Sequence, residues 1–302
     1  MSKSILISIL LTISVTIFAQ SPVGKRYKKI KLDTSYNHTK YITEPSDIIF
    51  KFAAYTVSFD SADDNNGDGE SDIWAIPEWV SYEIKGNVNV VRNSYRPSKW
   101  MTDDSLRVQG IAPDDDSYKV QRVNKLREVK IDYRFVRGHM CPKNVADRIS
   151  KEAGYNTCTV LNAVPQIQWQ NNGIWKCLEK QIINWADKYG RVWVICGGVF
   201  FDKTPSVWIG QGDEVKVAVP DALYKIVIRE SETGIKTLTF IIPNIIPKEK
   251  YCFYEYLTSM KRLEQLTGLT FLTNLPKRQQ KKIKKKHYNL PFKERQDIVE
   301  NF

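Results

Sequence analysis

A crowded series of β-prone segments between residues 191 and 244 constrains the fold of this chain more than any other feature. The segments are RVWVICGGVFF, EVKVAVP, ALYKIVIRE and KTLTFIIPN, in which β-branched and aromatic residues dominate. Further strand-like segments lie at 53–59, 79–84 and 157–164, whereas 174–188 and 250–266 have helical patterns. This order predicts one α+β domain with a central antiparallel sheet flanked by helices.

Both ends of the chain differ from this middle part in composition. Residues 1–20 place Lys3 before an uninterrupted apolar run, which predicts a signal peptide and a secreted or periplasmic protein, free of the membrane after cleavage. Residues 21–49 are polar and basic and are expected to form an N-terminal arm. Residues 276–302 form a basic C-terminal tail, which leaves 50–275 as the folded domain.

The composition narrows the class of partner. Lys and Arg number 45 against 34 Asp and Glu, and the formal net charge of +11 makes a polyanion the first partner to consider. A hydrophobic content of 42% excludes a disordered or collagen-like chain. With 3 histidines, a His-rich metal site is excluded as well. In an oxidising compartment the 5 cysteines predict one or two disulfides.

The motif RGHMCP, residues 137–142, places a single histidine beside groups that suit phosphate chemistry. Arg137 offers a planar fork that matches a phosphate, and Gly138 lets the backbone approach a ligand closely. A histidine, with an ordinary pKa of about 6.5, can take a proton from water at neutral pH. An arbitrary histidine is more often structural, but these neighbours favour His139 as a general base.

Two residues of the segment 171–188 have both a structural and a metal-related interpretation. Glu179 falls within the apolar arc of the predicted helix, where a carboxylate is costly unless a cation or hydrogen-bond donors compensate it. It is either a structural partner of a cation or a group that acts near a metal. Asn171 precedes the helix and is either its N-cap or an oxygen ligand suited to Mg²⁺.

Four short motifs together resemble one known family. RGHMCP, then ADR at 146–148, LNAVPQ at 161–166 and NNGIWKCLE at 171–179 are similar to motifs of the DNA/RNA non-specific endonucleases. The likeness extends over about residues 50–275. It implies the ββα-metal, or His-Me finger, nuclease fold and a metal-dependent endonuclease that hydrolyses DNA and RNA without sequence specificity.

The resemblance also implies a role for each matching residue. His139 becomes the general base, and Asn171 becomes the direct ligand of Mg²⁺, which Mn²⁺ can replace. Glu179 acts through a metal-bound water. Arginine side chains then contact the phosphate, and they are Arg137, Arg96 and Arg148.

One position departs from the family pattern. The family usually has Asp before Arg-Gly-His, whereas this chain has Val136, and Asp132 is a nearby acidic residue that could replace it. A weakened nuclease that only binds nucleic acid is therefore the alternative function. The basic run from Lys277 to Lys286 is either a solvated tail or an additional phosphate contact.

An acidic segment suggests a separate calcium site. Asp64, Asn66, Asp68 and Asp72 match ligand positions 1, 3, 5 and 9 of an EF-type loop, but position 12 is Ala75 instead of Glu. The alternative is a solvated hairpin loop without an ion. A bound Ca²⁺ would favour a calcium-stabilised surface protein, with the ion apart from any catalytic centre.

Overall fold

The structure is a computed structural model that describes residues 26–61, 63–64, 72–90, 95–118, 135–246, 252–285 and 292–302. Strands and helices within these residues are numbered in chain order. The strands are β1 (Thr43–Glu44), β2 (Ile48–Lys51), β3 (Thr56–Phe59), β4 (Pro77–Lys85), β5 (Phe135–His139), β6 (Ala163–Ile167), β7 (Arg191–Val199), β8 (Trp208–Ile209), β9 (Val217–Ala218), β10 (Ala222–Ser231), β11 (Gly234–Pro243), β12 (Leu257–Thr258) and β13 (Thr270–Phe271). The helices are α1 (Asp104–Val108), α2 (Lys143–Ala146), α3 (Lys151–Asn156), α4 (Gln168–Gln170), α5 (Lys176–Tyr189), α6 (Met260–Thr267), α7 (Lys277–Lys284) and α8 (Phe292–Glu300).

A seven-stranded sheet in the spatial order β12-β11-β10-β7-β4-β3-β2 forms the centre of the molecule. Every neighbouring pair in it is antiparallel. β5 and β6 pair with each other in a separate two-stranded antiparallel sheet. The predicted α+β class, with a central antiparallel sheet flanked by helices, is confirmed.

The two faces of the sheet are covered by different elements. Side chains alternate along a strand, so Val192 and Val194 of β7 face one side and Trp193 and Ile195 face the other. The first pair packs in a large core with Leu178, Ile182 and Trp185 of α5 and with residues of the β5–β6 pair. The second pair packs in a smaller core that includes residues of α6, β13 and α7, namely Met260, Leu263, Phe271 and Ile283.

Helix α5 is the long helix that the sequence predicts at 174–188. Its buried residues, Leu178, Ile182, Trp185 and Ala186, recur at helical spacing, and Gly190 ends it with a left-handed backbone (φ 82°). It begins two residues later than predicted because Asn171–Trp175 form a wider π-type turn. Gly173 within that turn has a non-helical backbone, with φ −97° and ψ −106°.

Two sequence predictions of secondary structure are wrong in part. The strand predicted at 157–164 is a 3₁₀ turn over Val160–Asn162, stabilised because the Thr159 hydroxyl accepts the Leu161 N–H, and β6 begins only at Ala163. Of the helix predicted at 250–266, residues 250–251 lie outside the described residues and Phe253–Tyr256 form a 3₁₀ turn. The α-helix α6 begins only at Met260, after the short strand β12. Ser259 begins α6 by accepting the Arg262 N–H at 3.1 Å.

Segments predicted as an arm and a tail pack against the folded domain. Tyr41 lies in the smaller core with Trp193, their ring centroids 5.4 Å apart. Ile283 of α7 is buried in the same core. Val299 and Phe302 at the end of the chain are buried in the large core, and Phe302 meets Trp185 at 4.9 Å between ring centroids. Within the described part of the chain, no helix is long and apolar enough to span a bilayer.

The prediction of disulfides is wrong, because all five cysteines are free. Cys141, Cys158 and Cys196 are fully buried and pack as small apolar residues. The Cys196 thiol lies 3.3 Å from the Met140 carbonyl oxygen, which uses its weak donor within the core. All three side chains thus pack as reduced thiols in the structure.

His38 is held in its neutral form by the fold. Its Nε2 lies 3.0 Å from the Ala53 carbonyl oxygen, and its Nδ1 accepts the Glu83 N–H at 3.1 Å. Burial lowers the pKa of His38 to about 4. Because the folded pKa lies below the unfolded value of about 6.5, stability from His38 is complete above that pH and is lost as the pH falls toward 4.

We therefore expect His38→Gln to weaken the acid dependence of stability. The variant should lose at most about 3 kcal/mol less than the wild type between pH 6.5 and 4, because glutamine does not take up a proton. Urea unfolding at a series of pH values measures this difference. Parallel stability curves for the two proteins over that interval would contradict the assignment.

Candidate active site

The pairing of β5 with β6 fixes the position of His139. This residue ends β5 and pairs with Ala163 of β6. The side chain of Asn162 then holds the following loop: it accepts the Cys141 N–H at 2.8 Å and donates to the carbonyl oxygens of Cys141 and Thr157 at 2.9 and 3.0 Å. Gly138 is required for the pairing of β5 with β6, because a Cβ there would lie 2.0 Å from Oε1 of Gln166.

The imidazole of His139 is a neutral base among cations. Its ring centroid lies 4.4 Å from that of Trp100, and its Nε2 lies 4.0 Å from the Cys158 sulfur. Burial is the largest cause that lowers the pKa of His139 to about 3, followed by the charges of Arg96, Arg137 and Lys143. The ring is therefore unprotonated at neutral pH and can accept a proton.

Arg137 lies on the same face of β5 as His139, two residues earlier. Its guanidinium forms an ion pair with Asp115 and lies 5.1 Å from the centroid of the Trp100 ring. Asp115 also accepts the backbone N–H of Trp100 at 2.9 Å, so it holds the Arg137 guanidinium next to the Trp100 backbone. About a third of Arg137 stays exposed, at 30% of its side-chain area. The loop sequence gave no signal for Asp115 or Trp100, because their partner lies on a different element.

Asn171 is not the N-cap of α5. It lies in the π-type turn between α4 and α5, and α5 begins without any side-chain cap. Asn171 is half-buried, and within the described residues its amide makes no hydrogen bond. This favours the second interpretation of Asn171, in which its amide oxygen is available as a metal ligand.

Glu179 lies on the sheet-facing side of α5 and forms an ion pair with Lys225 of β10. The Lys225 Nζ is 3.6 Å from Oε1 of Glu179 and 3.9 Å from the centroid of the Trp175 ring. Lys225 is fully buried, and Glu179 is 14% exposed. Burial raises the pKa of Glu179, and Lys225 is the largest opposing influence. The sequence placed Glu179 in this apolar arc but gave no sign that Lys225 is its partner.

The predicted phosphate contacts differ in their surroundings. Arg96 is exposed and close enough to His139 to lower its pKa. Arg148 is instead used within the fold: it is 7% exposed, forms an ion pair with Asp187 and donates to the Lys85 carbonyl oxygen at 3.1 Å. These contacts engage Nε and one terminal nitrogen of the Arg148 guanidinium, and its role as a substrate contact stays a prediction.

Val136, which stands where the family usually has Asp, does not lie next to the His139 imidazole. Side chains alternate along β5, so Val136 faces the side opposite to Arg137 and His139. Val136 pairs with Gln166 of β6. An aspartate at this position would therefore not contact the His139 ring directly. Asp132 lies outside the described residues.

Half of the predicted calcium loop lies outside the described residues, namely Asn66 and Asp68. Asp64 is exposed, and Asp72 pairs with Asp63 in an isolated antiparallel bridge. Carboxylates that the loop pattern did not include lie nearby, since Asp47, Asp60 and Asp63 bring oxygens within 4.8 Å of one another. The calcium loop stays a prediction.

Comparison with known proteins finds relatives among named nucleases. The chain is 31% identical to the mitochondrial nuclease EXOG of Danio rerio over 153 residues, which are 47% of this chain and 44% of the relative. It is 28% identical to the mitochondrial endonuclease G of Homo sapiens over 192 residues, 60% of this chain and 62% of the relative. The matches thus span about half of each relative's length.

These relatives correct the predicted location. They are mitochondrial proteins by name, and this finding overturns the prediction of a secreted or periplasmic protein. The prediction was based on residues 1–20, which lie outside the described residues. The apolar run after Lys3 shows that this segment is hydrophobic, and hydrophobicity alone does not specify the compartment to which a chain is targeted.

The fold and the family model agree with these relatives. A crystal structure of an EndoG/EndoGI complex matches with a TM-score of 0.50 and 18% identity, over 76% of this chain and 88% of that chain. This likeness confirms the ββα-metal nuclease fold. The family model of DNA/RNA non-specific endonucleases matches residues 69–278, most of the chain. The chain therefore belongs to the DNA/RNA non-specific endonuclease family.

Proposed function

We propose that this protein is a Mg²⁺-dependent endonuclease that hydrolyses phosphodiester bonds of DNA and RNA, with His139 as general base. The observation that carries the proposal is the neutral imidazole of His139 beside three cations, Arg96, Arg137 and Lys143. A base and a phosphate-attracting field are thereby present at one place. Both are needed when water attacks a phosphodiester.

His139 takes a proton from the attacking water in this mechanism. Its low pKa keeps it unprotonated at neutral pH, and the Trp100 ring fixes its plane. Arg137 and Arg96 stabilise the negative charge that develops on the phosphate oxygens. Because these contacts are made to phosphate and not to base edges, they give no sequence readout and accept both DNA and RNA.

The residues present fit a hard divalent cation. Asn171 offers an amide oxygen that is half-buried and free of other hydrogen bonds within the described residues, and Glu179 offers a carboxylate on the helix that follows. Oxygen ligands of this kind suit Mg²⁺ or Mn²⁺. When bound, such an ion neutralises charge on the phosphate and on the leaving oxygen. Lys225 holds the Glu179 carboxylate in place on the sheet-facing side.

Replacing His139 tests the general base. We expect His139→Ala to lower kcat/KM about 10²- to 10⁴-fold while far-UV circular dichroism is unchanged, because the general base is removed and the core is not. Cleavage of plasmid and of RNA with Mg²⁺ measures it. His38→Gln is the matched control: it lowers stability and keeps kcat near the wild-type value. A His139→Ala enzyme that cleaves at the wild-type rate would contradict the assignment.

Replacing the candidate ligands tests the metal site. We expect Asn171→Ala and Glu179→Gln each to raise the Mg²⁺ concentration for half-maximal activity about 10- to 100-fold. EDTA should abolish cleavage by the wild type. Asn184→Ala, an exposed asparagine on α5, is the control and should leave Mg²⁺ activation unchanged. Equal activation curves for Asn171→Ala and Asn184→Ala would exclude Asn171 as a ligand.

The buried ion pair predicts a non-additive effect on stability. We expect Lys225→Met to destabilise the fold by about 3–5 kcal/mol, because it leaves the Glu179 carboxylate without its cation. The double variant Lys225→Met/Glu179→Gln should recover part of this loss, since no uncompensated charge then remains. Urea unfolding of the two single variants and the double variant measures the coupling. Strictly additive losses would show that the two groups do not interact.

A further inference from the structure

We propose that one exposed face of α7 binds the phosphate backbone of a second nucleic-acid segment, on the side of the sheet opposite to the candidate active site. This face, here called the basic stripe, consists of Lys277, Arg278, Lys281, Lys282 and Lys285. The inference rests on nucleic acid being the substrate, as proposed above. It concerns binding alone, because the stripe contains no group of the catalytic set.

The five cations share one side of the helix. At 3.6 residues per turn they fall within an arc of about 140°. All five are exposed. Ile283, which is buried, lies opposite the centre of that arc and anchors α7 to the smaller core. The packing of α7 therefore turns these five cations toward solvent.

The stripe and the candidate site lie on different faces of the sheet. Ile283 packs in the core that contains Trp193 and Ile195 of β7. The His139 loop packs on the other face, where the Cys196 thiol of β7 meets the Met140 carbonyl oxygen at 3.3 Å. Since neighbouring residues of a strand point to opposite faces, the thickness of the sheet separates the two sites. A short duplex in the active site cannot also lie along the stripe.

The charges of the stripe are not neutralised within the described part of the chain. The one lysine of α7 with an acidic partner there is Lys284, whose Nζ lies 2.7 Å from Oε1 of Glu264. That pair is largely buried, at 13% and 19% exposure. Lys261 and Arg262 at the start of α6 are exposed as well and add positive charge on the same side.

The spacing of these cations matches a nucleic-acid duplex. From Lys277 to Lys285 the helix rises roughly 12 Å, at about 1.5 Å per residue. A duplex carries one phosphate charge per about 1.7 Å of its axis when both strands are counted, so a duplex segment of this length carries roughly seven charges. Five long, mobile cationic side chains can thus each meet a phosphate without any fixed register.

A lipid surface is a poorer fit for the same face. Helices that lie in a membrane interface present large apolar residues beside their cations. The exposed positions of α7 hold cations and Gln279, and its apolar residue Ile283 is buried. The stripe thus offers charge without any side chain that could insert, which favours a polyanion that stays in water.

Binding at the stripe would hold the enzyme on a long polymer while the active site acts on another segment. The test replaces all five stripe residues by glutamine, in wild-type and His139→Ala backgrounds. The control replaces five exposed lysines elsewhere and lowers the net charge equally: Lys29, Lys31, Lys51, Lys151 and Lys188. Glutamine keeps helix propensity close to that of lysine, so both variants should fold, and circular dichroism checks this.

Two binding measurements use the His139→Ala background with EDTA, so that the DNA stays intact. The first is the salt dependence of Kd for a long duplex. We expect the stripe variant to lower the slope of log Kd against log salt by about 2.7–4.5, for three to five lost contacts at about 0.9 each. The second is capture of a labelled duplex on beads that carry another duplex. The control variant should capture it, and the stripe variant should lose most of that capture.

Equal salt slopes for the stripe and control variants would overturn the proposal, as would equal capture. A stripe needed for binding to phosphatidylserine vesicles but not to the duplex would overturn it in favour of a membrane. Cleavage of a short duplex by the stripe variant, in the wild-type background, should have unchanged kcat and KM. Failure of the wild type to cleave that duplex with Mg²⁺ would reject the proposed activity instead, and the two binding measurements would still decide the stripe.

Discussion

A buried ion pair between Glu179 and Lys225 connects the helix of the candidate site to the central sheet. Charged groups removed from water are costly unless they are paired, and Lys225 is fully buried in the middle of β10. Its side chain faces the same side as Leu223 and Val227, so a carboxylate must reach it from the element that covers this face. The pair thereby fixes the rotation and axial position of α5. The turn that presents Asn171 precedes α5 directly and is fixed with it.

Local pattern predicted those parts of the fold in which local and tertiary preferences agree. The strands 79–84, 191–199, 222–231 and 234–243 and the helix α5 follow from β-branched content and helical spacing. The stretch 157–164 misled, because its strand-like composition carries a turn that a Thr159 side chain stabilises. The basic tail misled as well. Composition records the charges of 276–302 but not the few apolar residues, Ile283, Val299 and Phe302, that attach it to the cores.

The candidate site also contains residues that the sequence could suggest and contacts that it could not. His139, Arg137, Asn171 and Glu179 could be proposed as site residues because each lies in a short motif. Lys225 could not be assigned to Glu179, because a lysine in a β-prone segment gives no sign of its partner until the sheet is formed. Nor did the motif position of Arg148, which suggested a substrate contact, reveal that its guanidinium contacts Asp187 and the Lys85 carbonyl oxygen in the fold. Spacing indicates which residues are candidates for a site, and packing determines what each one is free to contact.

The cations around His139 couple its basicity to substrate binding. Arg96, Arg137 and Lys143 add to burial in lowering the pKa of the free imidazole, and the same positive field attracts a phosphate. A bound phosphate offsets part of that field, so the imidazole binds a proton more readily in the complex than in the free enzyme. Since proton transfer is more favourable to a stronger base, His139 becomes effective as a base when a phosphate is in place. The cations that keep the His139 imidazole unprotonated in the free enzyme thus also limit its stronger basicity to the complex with a phosphate.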